Sequence, residues 1–200
     1  MIAPLSPAER DAMLALARGA IEERLHANGR LSDLRARTAL TAGLTAKRAC
    51  FVTLEISDAP GRLTLRGCIG STEAEHPAHA AVVESARSAA FEDPRFAPVT
   101  AVELPGIVIS ISLLTTATPV ETADAIVLGR DGVVLSCDGK RALFLPEVAE
   151  HQGWDRHRML EQLARKAGLP AGAWRRAQLA TFQSERFGEP AADAARIPRS

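Results

Sequence analysis

The stretch Leu65-Arg66-Gly67-Cys68-Ile69-Gly70 places a thiol, a guanidinium and two glycines within six residues. Read as a strand, Leu65, Gly67 and Ile69 take one face and Arg66 and Cys68 the other, because side chains alternate with period two. A thiol attacks as its thiolate, and a cation on the same face can lower a cysteine pKa from about 8.5 towards roughly 7 or below. Gly67 leaves its face bare, so that another backbone or a ligand can approach, and Gly70 permits a left-handed turn at the strand end. The other reading of the same six residues is a small buried thiol beside a structural ion pair.

Downstream, Glu73-Ala74-Glu75-His76-Pro77-Ala78-His79 offers a general base or, with Cys68, metal ligands. The Cys-x7-His-x2-His spacing matches no known metal geometry, so polar helix-cap residues are the expectation, with no metal and no cofactor. His26, His151 and His157 read as surface histidines. Gly129 to Gly132 and Gly188 lack the arrangement of a phosphate-binding loop. Cys137, beside Asp138, reads as incidental, and Trp154 and Trp174 as packing anchors.

The elements that must position this chemistry follow from local pattern. Ser6-Pro7-Ala8-Glu9 is a capping box with proline at the first helical position, opening a helix over 7–26 that Asn28-Gly29 ends. Leu14, Ala17, Ile21 and Leu25 form its stripe. A short helix is expected near Ala39 to Leu44. Val52, Leu54 and Ile56 alternate in a strand over 50–56, residues 57–61 read as a turn, and a return strand carries Leu63, Leu65, Gly67 and Ile69 on its apolar face. A helix starting at Pro77 presents Val82, Ala86, Ala89 and Ala90 and stops at Asp93-Pro94. A strand over 107–113 follows. Asp131-Gly132 and Asp138-Gly139 predict a three-strand meander of 126–128, 133–135 and 143–145. Asp155 caps a helix to Ala167, ended by Gly168 and Pro170, and a last strand falls at 177–183. Hairpin-joined strands with helices between them predict an α+β fold of antiparallel strands and packed helices. Residues 1–188 read as one domain and 189–200 as a frayed tail.

Composition narrows the function classes. With 46% hydrophobic and 24% charged residues the 200-residue chain is ordinary globular protein. Lys+Arg and Asp+Glu are both 24, which gives no basic footprint for nucleic acid, and 4% aromatics without Tyr give no base-stacking platform. Three cysteines without metal-type pairing, no signal-like N-terminus and no long apolar run predict a cytoplasmic protein.

Phe51-Val52-Thr53-Leu54, the hexapeptide at 65–70, Ala89-Ala90 with Asp93-Pro94-Arg95-Phe96, Glu103-Leu104, Ile111-Ser112-Leu113-Leu114, Leu145-Pro146-Glu147-Val148 and Lys166-Ala167-Gly168-Leu169 together resemble the AMMECR-one domain family from about Pro7 to Gly188. Its bacterial and archaeal members are called AmmeMemoRadiSam system protein A. The resemblance implies a compact α+β domain of two unequal parts and two partners, a radical S-adenosylmethionine protein and a Memo-like protein. It brings no settled activity. Family members are described as uncharacterised, as RNA-modifying or as components of a radical-based system. Carried over by position, Cys68, Arg66, Asp93 and Glu103 are the catalytic candidates, and Arg95, Ser112, Thr53, Gly67 and Gly70 the substrate-binding ones. Asp93 and Glu103 could act as acid or base, and Arg66 and Arg95 could hold a carboxylate or phosphate. Alternatively, Asp93 turns a helix end while Arg95 and Glu103 pair with each other or with Arg66. Three functions compete: an enzyme or catalytic component with Cys68 as reactive thiol, in one version through a thiyl at Cys68 or an activated Gly67 or Gly70; a non-catalytic adaptor; and an RNA-modifying protein.

Overall fold

The Ser6 capping box closes as its sequence predicts: Glu9 N–H donates to Ser6 Oγ and Ser6 N–H to Glu9 Oε2 at 2.7 Å, opening helix α1 over Pro7–His26. The computed structural model describes residues 4–59 and 62–190, so Pro60 and Gly61 of the expected turn and residues 191–200 of the expected tail lie outside the described residues. In chain order, α1 is followed by α2 (Arg30–Arg37), α3 (Ala42–Thr45), β1 (Cys50–Ala59), β2 (Arg62–Ser71), α4 (Ala78–Phe91) and β3 (Ile107–Leu114). Next come β4 (Thr118–Val120), β5 (Gly132–Cys137), β6 (Lys140–Phe144), α5 (Glu147–His151), α6 (Arg156–Lys166), β7 (Gln178–Phe182) and β8 (Ser184–Gly188). Packing divides the chain into two units, one of Leu114–Ser184 and one of the segments on either side of it. The fold is α+β.

The larger unit holds a sheet in the order β2-β1-β3-β8, with β1 antiparallel to both of its neighbours. Helix α4 lies on β1 and β2, and α1 packs on α4. Val82, Ala86, Ala89 and Ala90 are all buried, and these small side chains let the helix lie close to the strands. They meet Val52, Leu54, Ile109 and Ile111 from the sheet and Met13, Leu16, Ala17 and Ile21 from α1. The buried stripe of α1 is shifted from the expected one: Ala17 and Ile21 are buried as expected, Met13, Leu16 and Ala20 are buried with them, and Leu14 and Leu25 flank the stripe half-buried.

The smaller unit has an antiparallel sheet in the order β4-β7-β5-β6. Only one of the two Asp-Gly pairs makes the hairpin expected of it. Asp138 and Gly139 both adopt positive φ, 52° and 72°, and join β5 to β6. Asp131 instead turns its carboxylate back to Val127 N–H at 2.9 Å, and Ile126 is buried in a non-strand segment. The expected meander is thus corrected: β7, from the end of the unit, pairs with β5 where residues 126–128 were to lie. Leu160, Leu163 and Ala164 of α6 close this core against Val133, Leu135 and Leu179, with Trp154 and Trp174 packed on it.

Candidate functional site

Strand β2 departs from strict alternation at the centre of the hexapeptide. Leu54 faces Gly67 but Glu55 faces Leu65, so Arg66 is an extra residue in a β-bulge. The bulge resets the alternation. Gly67 and Ile69 stay with Leu54 and Val52 on the helix-covered face, whereas Leu65 turns to the opposite face with Glu55 and is 41% exposed. This corrects the expected apolar face of β2, which had Leu65 beside Gly67.

Cys68 lies opposite Thr53, and Thr53 opposite Ser110, in a row across β2, β1 and β3 on the face away from α4. The Thr53 hydroxyl donates to Cys68 Sγ at 3.2 Å. The cysteine's backbone points outward along the edge of the sheet, and two side chains satisfy it. Cys68 N–H donates to Asp93 Oδ2 at 2.9 Å, and Arg95 Nη2 donates to the Cys68 carbonyl at 3.2 Å. Asp93 and Arg95 also hold each other through two bonds of 2.9 and 2.7 Å. Together they do for Cys68 what a neighbouring strand would do, which satisfies an otherwise open edge. The Arg95 guanidinium holds the Asp93 carboxyl well below the usual carboxylate range, and the carboxylate raises Arg95 in return.

Arg66 reaches Glu103, donating from Nε to Oε1 at 2.8 Å and from Nη2 to Oε2 at 3.3 Å. Thr100 supplies Glu103 with its N–H and its hydroxyl, each at 2.9 Å. With Arg66 as the largest influence, the Glu103 carboxyl is lowered to about 2. The Phe96 ring centre lies 6.0 Å from the Arg66 guanidinium and 5.4 Å from that of Arg95, which puts both in cation–π range.

The structure therefore brings Arg66, Cys68, Asp93, Arg95, Glu103 and Thr53 together, and it pairs the charges as Arg66 with Glu103 and Arg95 with Asp93. Both carboxyls are ionised and bonded at neutral pH, an arrangement that suits scaffolding more than proton transfer. A side chain at Gly67 would run into the carbonyl of Ala89 in α4, so the backbone that approaches this glycine is the protein's own. At Gly70 the space is filled by the Cys50 carbonyl and by Phe51. Ser112 stands opposite Phe51, two residue pairs along from the Cys68 row, and is buried. His79 Nδ1 is bonded to the Leu44 carbonyl at 2.9 Å, while His76 lines an open cavity of about 220 Å³ with Cys50, Glu75, Glu84 and Ser85. Burial pushes the Cys50 thiol up to about 12, so it is inert.

Sequence reasoning missed three participants. Thr100 could have been found from its Thr-x-x-Glu spacing to Glu103, the spacing of a capping box. Phe96 sits in a motif that was noted but gives no local sign of stacking. Ser110 enters only through the β1–β3 register, which no local pattern reports.

Comparison with known proteins gives one consistent answer. The family model described as AMMECR1 matches residues 14–187. A protein of Thermofilum pendens is 39% identical over 198 residues, 92% of each chain, and one of Thermococcus gammatolerans is 38% identical over 81% of this chain and 80% of its own. The crystal structure of the uncharacterised protein PH0010 from Pyrococcus horikoshii superposes with a TM-score of 0.75 at 31% identity, covering 90% of this chain and 91% of that one. The match takes in the bulged hexapeptide, its Asp93–Arg95 brace and both units, and on that ground the chain belongs to the AMMECR1 family.

Proposed function

We propose that this chain is a cytoplasmic component of a system containing a radical S-adenosylmethionine protein and a Memo-like protein, and that Cys68 is its reacting thiol. One observation carries the reading: of the three thiols, Cys50 and Cys137 are buried and Cys68 is not. Its surroundings agree. The thiol is on a strand whose backbone is braced from the edge by Asp93 and Arg95, and a hydroxyl is bonded to its sulfur. Such bracing fixes a reacting atom at little entropic cost. Arg66 and Arg95 then act as positioning residues, since their forks are occupied by carboxylates.

The test is alkylation of the folded protein followed by peptide mass analysis, together with Cys68→Ser in cells carrying both partners. Cys68 is expected to label at least ten times faster than Cys50 or Cys137. The serine variant is expected to lose the system's output while still co-purifying with the partners. Labelling of Cys68 no faster than the two buried thiols, with output unchanged by the substitution, would leave the adaptor reading. One feature favours that second reading: the bulge turns Leu65 outward beside the paired Arg66, giving the hexapeptide an exposed apolar contact.

A further inference from the structure

We infer that Thr53 is a positioning residue for the Cys68 thiol: its hydroxyl holds the sulfur on the face of the sheet away from α4 and stabilises the negative charge that the sulfur carries when it attacks. The inference rests on the reading of Cys68 as a reacting thiol and adds what prepares that thiol. Arg66 and Arg95 each hold a carboxylate of the protein through two bonds. The bond that Arg95 makes to Cys68 goes to the backbone carbonyl, not to the sulfur. Among the described residues, the donor recorded at the sulfur is Thr53 Oγ1, at 3.2 Å. A threonine hydroxyl has one proton to give, and Thr53 gives it to the thiol.

The register explains the contact. Thr53 and Cys68 are direct partners across β1 and β2. Cys68 gives its N–H to Asp93 and accepts at its carbonyl from Arg95, so its backbone groups point away from Thr53. In an antiparallel ladder it is such non-hydrogen-bonded pairs whose side chains come closest, which brings hydroxyl and sulfur within bonding distance. Thr53 is half-buried on a strand flanked by β2 and β3, and its branched Cβ restricts χ1, so the hydroxyl is in place before any substrate arrives. The brace of Asp93 and Arg95 thus fixes the backbone of Cys68 and Thr53 fixes its side chain. A hydrogen bond to the charged form of a group favours that form. The same bond makes a thiolate less nucleophilic, because nucleophilicity falls with basicity. The two effects oppose each other, and pH decides which one governs the rate.

The test is the rate of Cys68 alkylation by iodoacetamide, in which the thiolate forms an S–C bond and iodide leaves, followed in the full chain from about pH 5 to about pH 10. Thr53→Val keeps the branched shape and removes the donor, whereas Thr53→Ser keeps the donor. The valine variant is expected to label Cys68 about three-fold more slowly than the unmodified protein at pH 7 and to overtake it near pH 10, so that the two profiles cross. The serine variant is expected to follow the unmodified protein. Thr53→Ala removes the same hydroxyl without adding a methyl group, and its profile should cross in the same sense even where valine disturbs the strand. Loss of packing or of fold moves the rate one way at every pH and produces no crossing. Valine and alanine profiles that superimpose on the parent's or run parallel to it, with Cys68 still reactive, overturn the role of Thr53 and leave the thiol intact. A serine profile that follows valine's does the same. Cys68 that labels no faster than Cys50 and Cys137 in the unmodified protein overturns the thiol and, with it, the role of Thr53.

Discussion

Glu103 is held by a guanidinium, a backbone N–H and a hydroxyl at once, and this makes it a pH-sensitive brace. Its carboxyl is lowered from an ordinary glutamate value of about 4.3 to about 2, with Arg66 the largest cause. A depressed carboxylate contributes stability that is complete above its unfolded pKa and is lost as the pH falls through its folded one. Glu103→Gln should therefore cost about 1–2 kcal/mol at pH 7, where it leaves the largely buried Arg66 charge with weaker partners. The gap to the unmodified protein should then close between about pH 4.3 and 2. Urea melts at pH 7, 4 and 3 check this, and a gap that stays constant down to pH 3 would mean that the charge contributes nothing. Asp93 shifts in the same direction with Arg95 as its partner, so Asp93→Asn should behave alike. At this scale the sequence was a good guide to which residues gather and a poor guide to their pairing. Arg66 and Glu103 lie 37 positions apart, and only the packing of the segment after α4 beside the edge of β2 makes them partners.

The bulge in β2 and the closeness of α4 are one construction. At Gly67 the strand passes so near the last turn of α4 that a methyl group would overlap the Ala89 carbonyl oxygen, which belongs to backbone and cannot rotate away. Gly67→Ala should therefore destabilise the protein by about 1–3 kcal/mol or displace α4 from the sheet. Either outcome shows in a urea melt or in faster amide exchange of residues 78–91, and an alanine variant as stable as the parent would show that the approach relaxes at no cost. Helix caps and alternation were legible here because they are local. Ser6 with Glu9, Asp155, and the run Val52-Leu54 each carry their own instruction. The bulge was not legible, because one extra residue in β2 leaves no mark on composition and shows only against the register of β1. For the same reason β4, three residues with an internal proline, went unseen, and the 126–128 run, buried but irregular, read as strand.

In the larger unit the sheet is completed by β8, the last strand among the described residues, and two carboxylates, Glu185 on that strand and Glu189 just past its end, tie it to the first helix. Glu185 accepts from Leu5 N–H at 2.9 Å and from Arg10 Nε at 3.1 Å, and it meets the buried Arg48 at 3.3 Å. Four residues on, Glu189 takes both prongs of Arg18, at 2.7 and 2.5 Å, and also accepts from Ile109 N–H. The spacings agree: eight residues of helix from Arg10 to Arg18 rise about 12 Å, and four residues of strand from Glu185 to Glu189 span about 13 Å. Arg18 further donates to the carbonyls of Leu104 and Ile107, so one guanidinium joins α1, the entry to β3 and the end of β8. Glu189, which by composition alone opens a frayed tail, is a clasp. Glu189→Ala would leave Arg18, three-quarters buried, without its counter-charge, at an expected cost of about 2–4 kcal/mol. The loss should concentrate where the bonds are, so amide exchange should accelerate most in α1, at the start of β3 and in β8, and less in β4 to β7, to which Glu189 makes no recorded bond among the described residues. A variant with unchanged exchange in α1 and β8 would show that the strand is held by its ladder alone.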